Sequence, residues 1–369
     1  MFIDKRSFRY FDWVSFCLMT AMLAMGLLFV FSSTYKPEKP FSIFFKKQLL
    51  GVLTGYVWYF IFSFKDLRNF ARISYFLFYG ILALLLYTII GGWIGMGAQR
   101  WVSLGIFRFQ PSELVKFFLP LFIANYFIEN QELSFSQSIE FKKFLYPLGV
   151  VLVSFFLIRK QPDLGTALIV LISGMMLFWF IGINKKFFIL SGMLMVIGAP
   201  LLWKMLKPYQ QQRIQVLFGY GSMRKERYQI EQSKIAIGSG GLKGKGFLKG
   251  TQNKLEFLPE DHTDFIFSVI CEELGFAGAF LVIFLFFCLF LRLILVLCDV
   301  VSLYQQIIGF GLFAHILISV CVNIGMVIGL LPIVGIPLPF FSYGLSNLWI
   351  TMISLGWLNN IAIKRFHVG

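Results

Sequence analysis

Charged residues are scarce in this chain, since Asp, Glu, Lys and Arg together supply only 14% of its 369 residues. Soluble domains carry about 25% charge, so a chain this long lacks the polar side chains to cover itself in water. The apolar residues also come in runs of about twenty, the length that crosses a bilayer as a helix. Lipid is therefore the solvent for most of this surface, and the composition indicates an integral membrane protein.

Cysteine is also sparse, and its placement excludes two common structural devices. The five cysteines show no C-x-x-C spacing, and each lies in or at the end of an apolar run. The three histidines include no His-x-x-x-His pair. We therefore expect neither a disulfide framework nor a structural zinc site.

Acidic residues are outnumbered by basic ones, 18 against 33, which gives a formal net charge of +15. Nucleic acid and membranes are the two usual partners of such an excess. Here the basic residues stand between apolar runs, so we expect phospholipid headgroups or an anionic lipid substrate, and no nucleic acid.

The apolar runs predict an all-α, polytopic membrane protein of about ten transmembrane helices, folded as a single domain over residues 1–369. Lysine and arginine are more frequent in the loops that follow even-numbered spans and at both ends, which favours cytoplasmic termini. The predicted spans are 12–32, 43–64, 70–91, 112–129, 143–159, 164–183, 187–204, 264–298, 304–331 and 339–362.

One connection is far longer than usual, and it lies between predicted spans seven and eight. Residues 205–263 should form a large extracytoplasmic loop, with a short amphipathic helix at 230–237 on the membrane interface. The glycine-rich stretch 238–246 is a weak phosphate-loop signal, because no strand precedes it and no Gly-Lys-Ser/Thr ends it. We expect it to be a flexible turn over the membrane surface.

Polar residues beside or within the spans mark the places to look for function, because a charge in a bilayer costs a few kcal/mol or more. Arg100 and Trp101 lead into a span that contains Glu113 and Lys116. These last two are spaced i, i+3 and can pair on one helix face. The pair either holds two helices together or serves a site, and Trp101 is either an interfacial anchor or a substrate contact.

Two further polar clusters also allow both a structural and a functional interpretation. Asp163 follows two basic residues at the start of a predicted helix, so it is either an N-cap or a site residue. Arg213 lies in the long loop just beyond a span, where a lone arginine commonly contacts a headgroup.

The strongest cluster is at the mouth of the eighth span, where Glu260, His262, Thr263 and Asp264 stand together. Thr263 or Asp264 could cap the following helix, but capping requires one such residue and four polar residues are present.

The last cluster surrounds Ser342, where Pro337 and Pro339 break the chain at membrane depth. Broken backbone is tolerated there only where it is buried or lines a watery cavity. All five clusters fall on the outer side under the predicted topology, so a single outward-facing cavity explains them together.

These segments resemble the motifs of the SEDS family, the shape, elongation, division and sporulation proteins. The segment 250–252, Gly-Thr-Gln, favours the elongation branch. One departure is Leu345, where the family usually has a second glycine. The matching segments follow the family's order across nearly the whole chain: 97–101, 109–116, 160–167, 229–246, 250–252, 257–265, 272–275 and 335–344.

The resemblance implies a peptidoglycan glycosyltransferase at the outer face of the bacterial inner membrane. Such enzymes polymerise lipid II, a disaccharide-peptide carried on undecaprenyl pyrophosphate, during cell elongation. They work with a class B penicillin-binding protein and other membrane proteins of the elongation complex. The family's putative catalytic acid falls on Asp264, and other family motif positions fall on Arg100, Trp101, Glu113, Lys116 and Asp163.

Glycosyl transfer needs a base for the acceptor's 4-hydroxyl and positive charge at the departing pyrophosphate. Asp264 would be the base, and Mg²⁺ or Mn²⁺ could add positive charge through ligands that the sequence does not identify. A lipid II flippase and a non-catalytic scaffold are the alternative functions. The predicted substrate contacts are Arg100, Trp101, Glu113, Lys116, Asp163, Arg213, Glu260, His262, Thr263 and Ser342.

Overall fold

A computed structural model describes residues 8–65, 70, 73–95, 98–104, 107–129, 141–206, 208–217, 224–254 and 257–365. The predicted single domain also includes both chain ends and positions 207, 218–223 and 255–256 of the long loop, which lie outside the described residues. Its helices are α1 (Trp13–Thr34), α2 (Ile43–Phe64), α3 (Ser74–Gly91), α4 (Pro111–Glu129), α5 (Phe141–Lys160), α6 (Leu164–Ile181), α7 (Lys185–Met205), α8 (Pro208–Leu217), α9 (Arg224–Gly240), α10 (Thr251–Lys254), α11 (Ile266–Cys298), α12 (Leu303–Val327) and α13 (Leu345–Lys364).

Five of the described helices, α1, α3, α6, α11 and α12, are long and apolar enough to cross a membrane. Their outward faces keep large apolar side chains exposed, such as Phe76 and Ile90 on α3. A lipid environment removes the penalty that water would impose on such a surface. The predicted class, a predominantly helical membrane protein, is therefore confirmed.

The last two helices differ from the predicted spans in their boundaries. Helix α12 ends at Val327, and α13 begins only at Leu345. The segment between them contains Pro332, Pro337 and Pro339, and proline removes a helix hydrogen bond and clashes with the preceding turn. The predicted boundaries at 331 and 339 were therefore wrong.

A small antiparallel sheet departs from the all-α prediction. It consists of β1 (Trp93–Gly95), β2 (Ala98–Leu104) and β3 (Phe107–Phe109), in that order. Trp93 on β1 pairs with Trp101 on β2. Because successive side chains of a strand point to opposite faces, Arg100 and Trp101 are directed to opposite sides of the sheet.

The long segment after α7 is largely helical where it is described, so it is not an open loop. The predicted helix at 230–237 exists within α9, and one of its faces packs on protein. Ser233 Oγ on α9 donates to the Val327 carbonyl at 2.7 Å and lies 2.8 Å from Ser268 Oγ on α11. Ile230 and Ala236 are buried on the same side.

Helix α11 is broken at Gly275, whose φ of +68° and ψ of −157° lie outside helical space. The glycine-rich stretch fits into this break: the Gly246 N–H donates to the Glu273 carbonyl at 2.9 Å, and the Phe276 N–H donates to the Gly241 carbonyl at 2.8 Å. A Cβ on Gly275 would lie 2.3 Å from the Gly244 nitrogen. The stretch is therefore fastened to the helix, and the expectation of a flexible turn was wrong.

Two buried acids beside this break hold the segment between α7 and α11 to the bundle. Glu272 Oε1 accepts hydrogen bonds from Lys245 Nζ at 2.6 Å and from the Thr251 N–H at 2.8 Å. Glu273 Oε1 accepts one from Ser32 Oγ of α1 at 2.5 Å. These bonds fix the first part of α11, and with it the turn that precedes the helix.

Candidate functional site

The turn that precedes α11 is tight and leaves Asp264 just outside the helix. Glu260 has a φ of +57°, a left-handed conformation that is uncommon for a residue with a side chain. Its carbonyl accepts the N–H groups of Thr263, Asp264 and Phe265 at 3.3, 3.1 and 3.3 Å. The turn therefore collects three donors on one oxygen and presents Asp264 at the mouth of the helix.

A single buried amide secures this turn. Asn323 Nδ2 on α12 donates to the Asp264 carbonyl at 2.9 Å and to the Ile336 carbonyl at 2.7 Å. It thereby joins the aspartate's backbone to the proline-containing segment between α12 and α13. Gly335 in that segment faces the aspartate, since a Cβ there would lie 3.5 Å from Asp264 Oδ2.

The Asp264 carboxylate is partly buried and accepts no hydrogen bond from any residue that the structure describes. Burial, reinforced by the charge of Glu260, raises the pKa of Asp264 to about 7, against the opposing effects of Arg100, Arg213 and His262. A carboxylate with a pKa near the working pH is a stronger base than one in water and is still ionised in a large fraction of molecules. The arrangement therefore suits proton abstraction.

Asp163 is buried and has several partners. Its Oδ1 accepts the Thr166 N–H at 3.1 Å, which caps α6 as the sequence suggested, and its Oδ2 accepts Gln110 Nε2 at 2.6 Å. Arg100 Nη1 lies 3.8 Å from Oδ1. Arg100 Nε has no hydrogen-bond partner within the described part of the chain. The cap therefore also positions an arginine that acts on Asp264.

The glycine of the Asp-Leu-Gly motif has a packing role. A Cβ on Gly165 would lie 2.8 Å from both the Val334 carbonyl oxygen and Ile336 Cγ1. Only glycine allows the proline-containing segment to lie this close to the first turn of α6. The motif therefore brings together the Asp163 cluster and the segment that faces Asp264.

Glu113 and Lys116 form the expected pair, with 2.7 Å between Glu113 Oε2 and Lys116 Nζ. Only 6% and 2% of their respective side chains are exposed. Asn347 Nδ2 on α13 also donates to Glu113 Oε2 at 3.3 Å. The pair therefore links α4 to α13 inside the bundle, and contact between Lys116 and a substrate pyrophosphate remains a prediction.

Two predicted contacts lie elsewhere. Trp101 lines a shallow pocket with Tyr87 and Trp93, on the face of β2 opposite to Arg100. Ser342 is buried, and its Oγ accepts the Leu338 N–H at 2.8 Å, so the hydroxyl holds its own loop together. Their roles as substrate contacts remain predictions to which this geometry adds no support.

The remaining predicted residues surround Asp264. His262 Nδ1 lies 3.0 Å from Asp261 Oδ1, and its carbonyl accepts the Tyr343 N–H at 2.9 Å. Thr263 Oγ1 lies 3.1 Å from Glu260 Oε2, to which it donates. Arg213, on α8 in the segment between α7 and α11, acts electrostatically on Asp264. The structure thus groups Arg100, Arg213, Glu260 and His262 around the aspartate.

The sequence analysis missed several amides that support the site. Asn347 binds Glu113, and Gln48 Nε2 on α2 donates to the Ser342 carbonyl at 3.1 Å. Gln110 binds the Asp163 carboxylate, and Asn323 binds the Asp264 carbonyl. Their common signal is an amide inside or beside an apolar run, where an unpaired polar group is costly.

Within the described residues, no group of three or more His, Cys, Asp and Glu side chains is arranged to hold a metal ion. The five cysteines are all free.

The fold and this site define a polytopic membrane protein with an aspartate-centred cluster of charges at one end of a helical bundle. Residues 12–367 match the FtsW/RodA/SpoVE family model, described as "Cell cycle protein". The chain belongs to this family, which is the SEDS family that the sequence motifs resemble.

Curated relatives and solved structures resemble the chain over most of its length. Peptidoglycan glycosyltransferase MrdB of Escherichia coli K12 is 41% identical over 280 residues, 74% of this chain and 73% of that protein. Peptidoglycan glycosyltransferase RodA of Treponema pallidum is 32% identical and covers 96% of this chain and 98% of its own.

Two structural neighbours are equally extensive. A chain from a peptidoglycan synthase complex that coordinates polymerization and crosslinking superimposes with a TM-score of 0.81, at 26% identity over 97% of this chain and 99% of that one. The rod shape determining protein RodA of Thermus thermophilus gives 0.71 at 26% identity, over 97% and 98%.

Proposed function

We propose that this chain is a peptidoglycan glycosyltransferase that polymerises lipid II at the outer face of the bacterial inner membrane during cell elongation. The observation that carries the proposal is the Asp264 carboxylate, which has no hydrogen-bond donor among the described residues, a raised pKa and two nearby arginines. The names of the MrdB and RodA relatives support the same activity.

In the proposed reaction, Asp264 removes the proton from the 4-hydroxyl of the acceptor sugar. The hydroxyl oxygen attacks the anomeric carbon of the donor from the face opposite the leaving group, and the bond from that carbon to the pyrophosphate oxygen breaks. The undecaprenyl pyrophosphate leaves with the bonding electrons, and Arg100 and Arg213 stabilise its growing negative charge. Attack from the opposite face converts the α-linked donor into a β-linked product.

A divalent cation enters this proposal only together with the substrate. The described residues do not fit a metal site built by protein ligands alone, since no three suitable side chains converge. Mg²⁺ commonly binds through one or two carboxylates, substrate phosphates and water. Asp264 and Glu260 are the carboxylates nearest this chemistry, and such a cation would add positive charge at the pyrophosphate.

We propose that ten helices, α1 to α7 and α11 to α13, span the membrane with both chain ends in the cytoplasm. Each of them has at least 18 residues, enough to cross a bilayer with little tilt. This topology places the sheet, α8 to α10 and the Asp264 turn together outside, as an outer-face reaction requires.

Impermeant thiol labelling of intact cells, in a cysteine-free background, tests this topology. Leu242→Cys lies on the proposed outer segment at a side chain that is 76% exposed. Val301→Cys, 74% exposed in the turn between α11 and α12, is the matched inner control. We expect labelling of the first in intact cells and of the second only after permeabilisation, and the reverse pattern would contradict the topology.

The proposed partners are a class B penicillin-binding protein, which cross-links the new strands, and other membrane proteins of the elongation complex. Support comes from the structural neighbour in a synthase complex that coordinates polymerization and crosslinking. Co-purification of the tagged chain with a class B transpeptidase tests this pairing.

Polymerisation of lipid II by the purified protein, with and without the transpeptidase, tests the activity itself. Asp264→Asn keeps the size of the side chain and removes the base, so we expect no polymer. Asp299→Asn is the matched control, because Asp299 is exposed at the opposite end of the bundle and pairs with Arg365 at 3.3 Å. Polymer from Asp264→Asn would remove the base role, and lipid II translocation without polymer by wild type would indicate a flippase. If polymerisation in the presence of the partner persisted after every charge at the site was removed, the chain would be a scaffold.

A further inference from the structure

His315 is a buried histidine that the proposed reaction does not use. It lies on α12 with only 2% of its surface exposed, and neither ring nitrogen makes a hydrogen bond within the described part of the chain. A neutral imidazole has one donor and one acceptor, so the acceptor nitrogen is unused among the described residues.

Lys116 has the complementary deficit. Its ammonium carries three N–H donors, and its side chain is only 2% exposed. Among the described residues, Glu113 Oε2 at 2.7 Å is its one hydrogen-bonding acceptor. Buried donors and acceptors without partners are destabilising, which makes two such groups side by side significant.

The packing of α4 against α12 brings these two residues together. A Cβ on Gly311 would lie 2.5 Å from Pro120 Cβ, so the two helices are in close contact at that level. Lys116 is one turn from Pro120, and His315 is one turn from Gly311, in the same direction along the bundle. Lys116 and His315 therefore lie at the same level on the facing sides of the two helices.

We propose that His315 is the second acceptor for the Lys116 ammonium, reached through one buried water, and that it positions this cation, which is a predicted substrate contact. The water satisfies the idle ring nitrogen and one idle N–H group at once. The ring remains neutral, because a second positive charge beside a buried ammonium is unfavourable. The functional part of this inference rests on the proposed glycosyltransferase activity.

The resulting network has a geometric consequence. Asn347 on α13 binds Glu113, Glu113 binds Lys116 on the same helix, and Lys116 reaches His315 on α12. Three helices are thereby joined by one chain of polar contacts. Without His315, the Lys116 ammonium is held by Glu113 alone.

A double-mutant cycle in thermal stability tests the contact independently of catalysis. The purified variants are His315→Leu, Lys116→Met and their combination. We expect each single change to lower the Tm by about 3 °C or more, and the double variant to lie well above the additive value. Additive shifts would overturn the proposal. If His315→Leu does not fold, His315→Ala, which also lacks an acceptor, replaces it in the same cycle with the same criterion.

Polymerisation then tests positioning. We expect His315→Leu to lower kcat/KM for lipid II by about tenfold, and His315→Gln, which keeps an acceptor, to recover most of that loss. Ser319→Ala is the matched control, because among the described residues this buried hydroxyl on the next turn bonds only to the His315 carbonyl of its own helix. Equal loss in the Leu and Gln variants at equal Tm would contradict positioning.

Failure of this inference is distinguishable from failure of the proposed function. If Asp264→Asn still makes polymer, the catalytic assignment fails while the thermal cycle continues to report on the Lys116 contact. If the thermal shifts are additive while Asp264→Asn is inactive, only the His315 inference is overturned.

Discussion

Asp163 Oδ1 caps α6, and the same oxygen lies 3.8 Å from Arg100 Nη1. Arg100 also acts on Asp264, so one guanidinium is shared between a structural carboxylate and the proposed base. The strand β2 supplies the arginine, α6 the anchor and the turn before α11 the base. The charge at the site is therefore set by the packing of three separate elements.

Substitution of Asp163 should separate capping from charge. Asn caps a helix about as well as Asp but cannot attract Arg100. We expect Asp163→Asn to keep nearly wild-type thermal stability and to lower polymerisation by about tenfold. Asp163→Ala should lose activity and also about 1–2 kcal/mol of stability. Equal Tm values for the two variants would show that the cap contributes nothing.

The rate should depend on pH through Asp264. A general base works when deprotonated, so kcat/KM should rise with pH and level off above the pKa of about 7. Steady-state rates between pH 5.5 and 8.5 measure this dependence. A profile that is already flat across pH 6 would place the base elsewhere or return its pKa to that of an ordinary aspartate.

The stability of the fold should also depend on the ionisation of Asp264, but it should fall as the pH rises. A carboxyl whose pKa is raised on folding stabilises the fold below its unfolded pKa, and this contribution is lost as pH rises through about 7. Asp264→Asn cannot ionise and avoids that loss. We therefore expect the Tm of the variant, relative to wild type, to increase between pH 5 and pH 8, and a constant difference would contradict it.

The buried pair Glu113 and Lys116 should fail when either partner is removed. We expect Glu113→Ala and Lys116→Ala each to cost about 3–5 kcal/mol, because an unpaired charge remains inside the bundle. The charge-swapped double variant, Glu113→Lys with Lys116→Glu, should recover much of this stability, since Asn347 can present its carbonyl oxygen to the new cation.

Polymerisation by the swapped variant decides the role of Lys116. If the Lys116 ammonium contacts the pyrophosphate, the swap moves this positive charge to position 113. We then expect the Tm to recover while polymerisation remains lost. Full recovery of both would make Lys116 a structural residue only.

The break in α11 should not tolerate a side chain. Gly275→Ala combines a φ of +68° with a Cβ lying 2.3 Å from the Gly244 nitrogen, so we expect a marked fall in the yield of folded protein. Gly80→Ala on α3 is the matched control, because its Cβ would meet nothing within 4 Å. Normal folding of Gly275→Ala would show that the glycine-rich stretch can move aside.

The sequence predicted the helices well because their signal is local. Long apolar runs fix α1, α2 and α4 to within about two residues, the usual uncertainty of helix ends. The sheet around Arg100 escaped prediction because β1 and β3 have only three residues each and the seven residues of β2 do not alternate between apolar and polar. The glycine-rich stretch 238–246 was predicted to be flexible because a local pattern does not show what orders it. Its glycines are ordered by hydrogen bonds to the backbone of the broken helix α11, further along the chain.

The site was predictable in its charges and not in its supports. Asp264, Arg100 and Asp163 stand out because charged groups beside a bilayer need a reason to be there. Their distances depend on amides such as Gln110 and Asn323, whose partners are distant in sequence. Nothing in a local pattern reveals that Asn323 binds two backbone segments at once.

The hydrogen bonds made by the Asn323 and Gln48 side chains also set an order of assembly. Asp264 emerges from the ribosome well before Asn323, which lies 59 positions later, and the loop bond from Gln48 to Ser342 spans 294 positions. Most of the bundle is therefore inserted before the aspartate acquires its final surroundings. A nascent chain carries its reactive carboxylate in an unfinished setting until the last two helices arrive, so the competent site is a property of the completed chain alone.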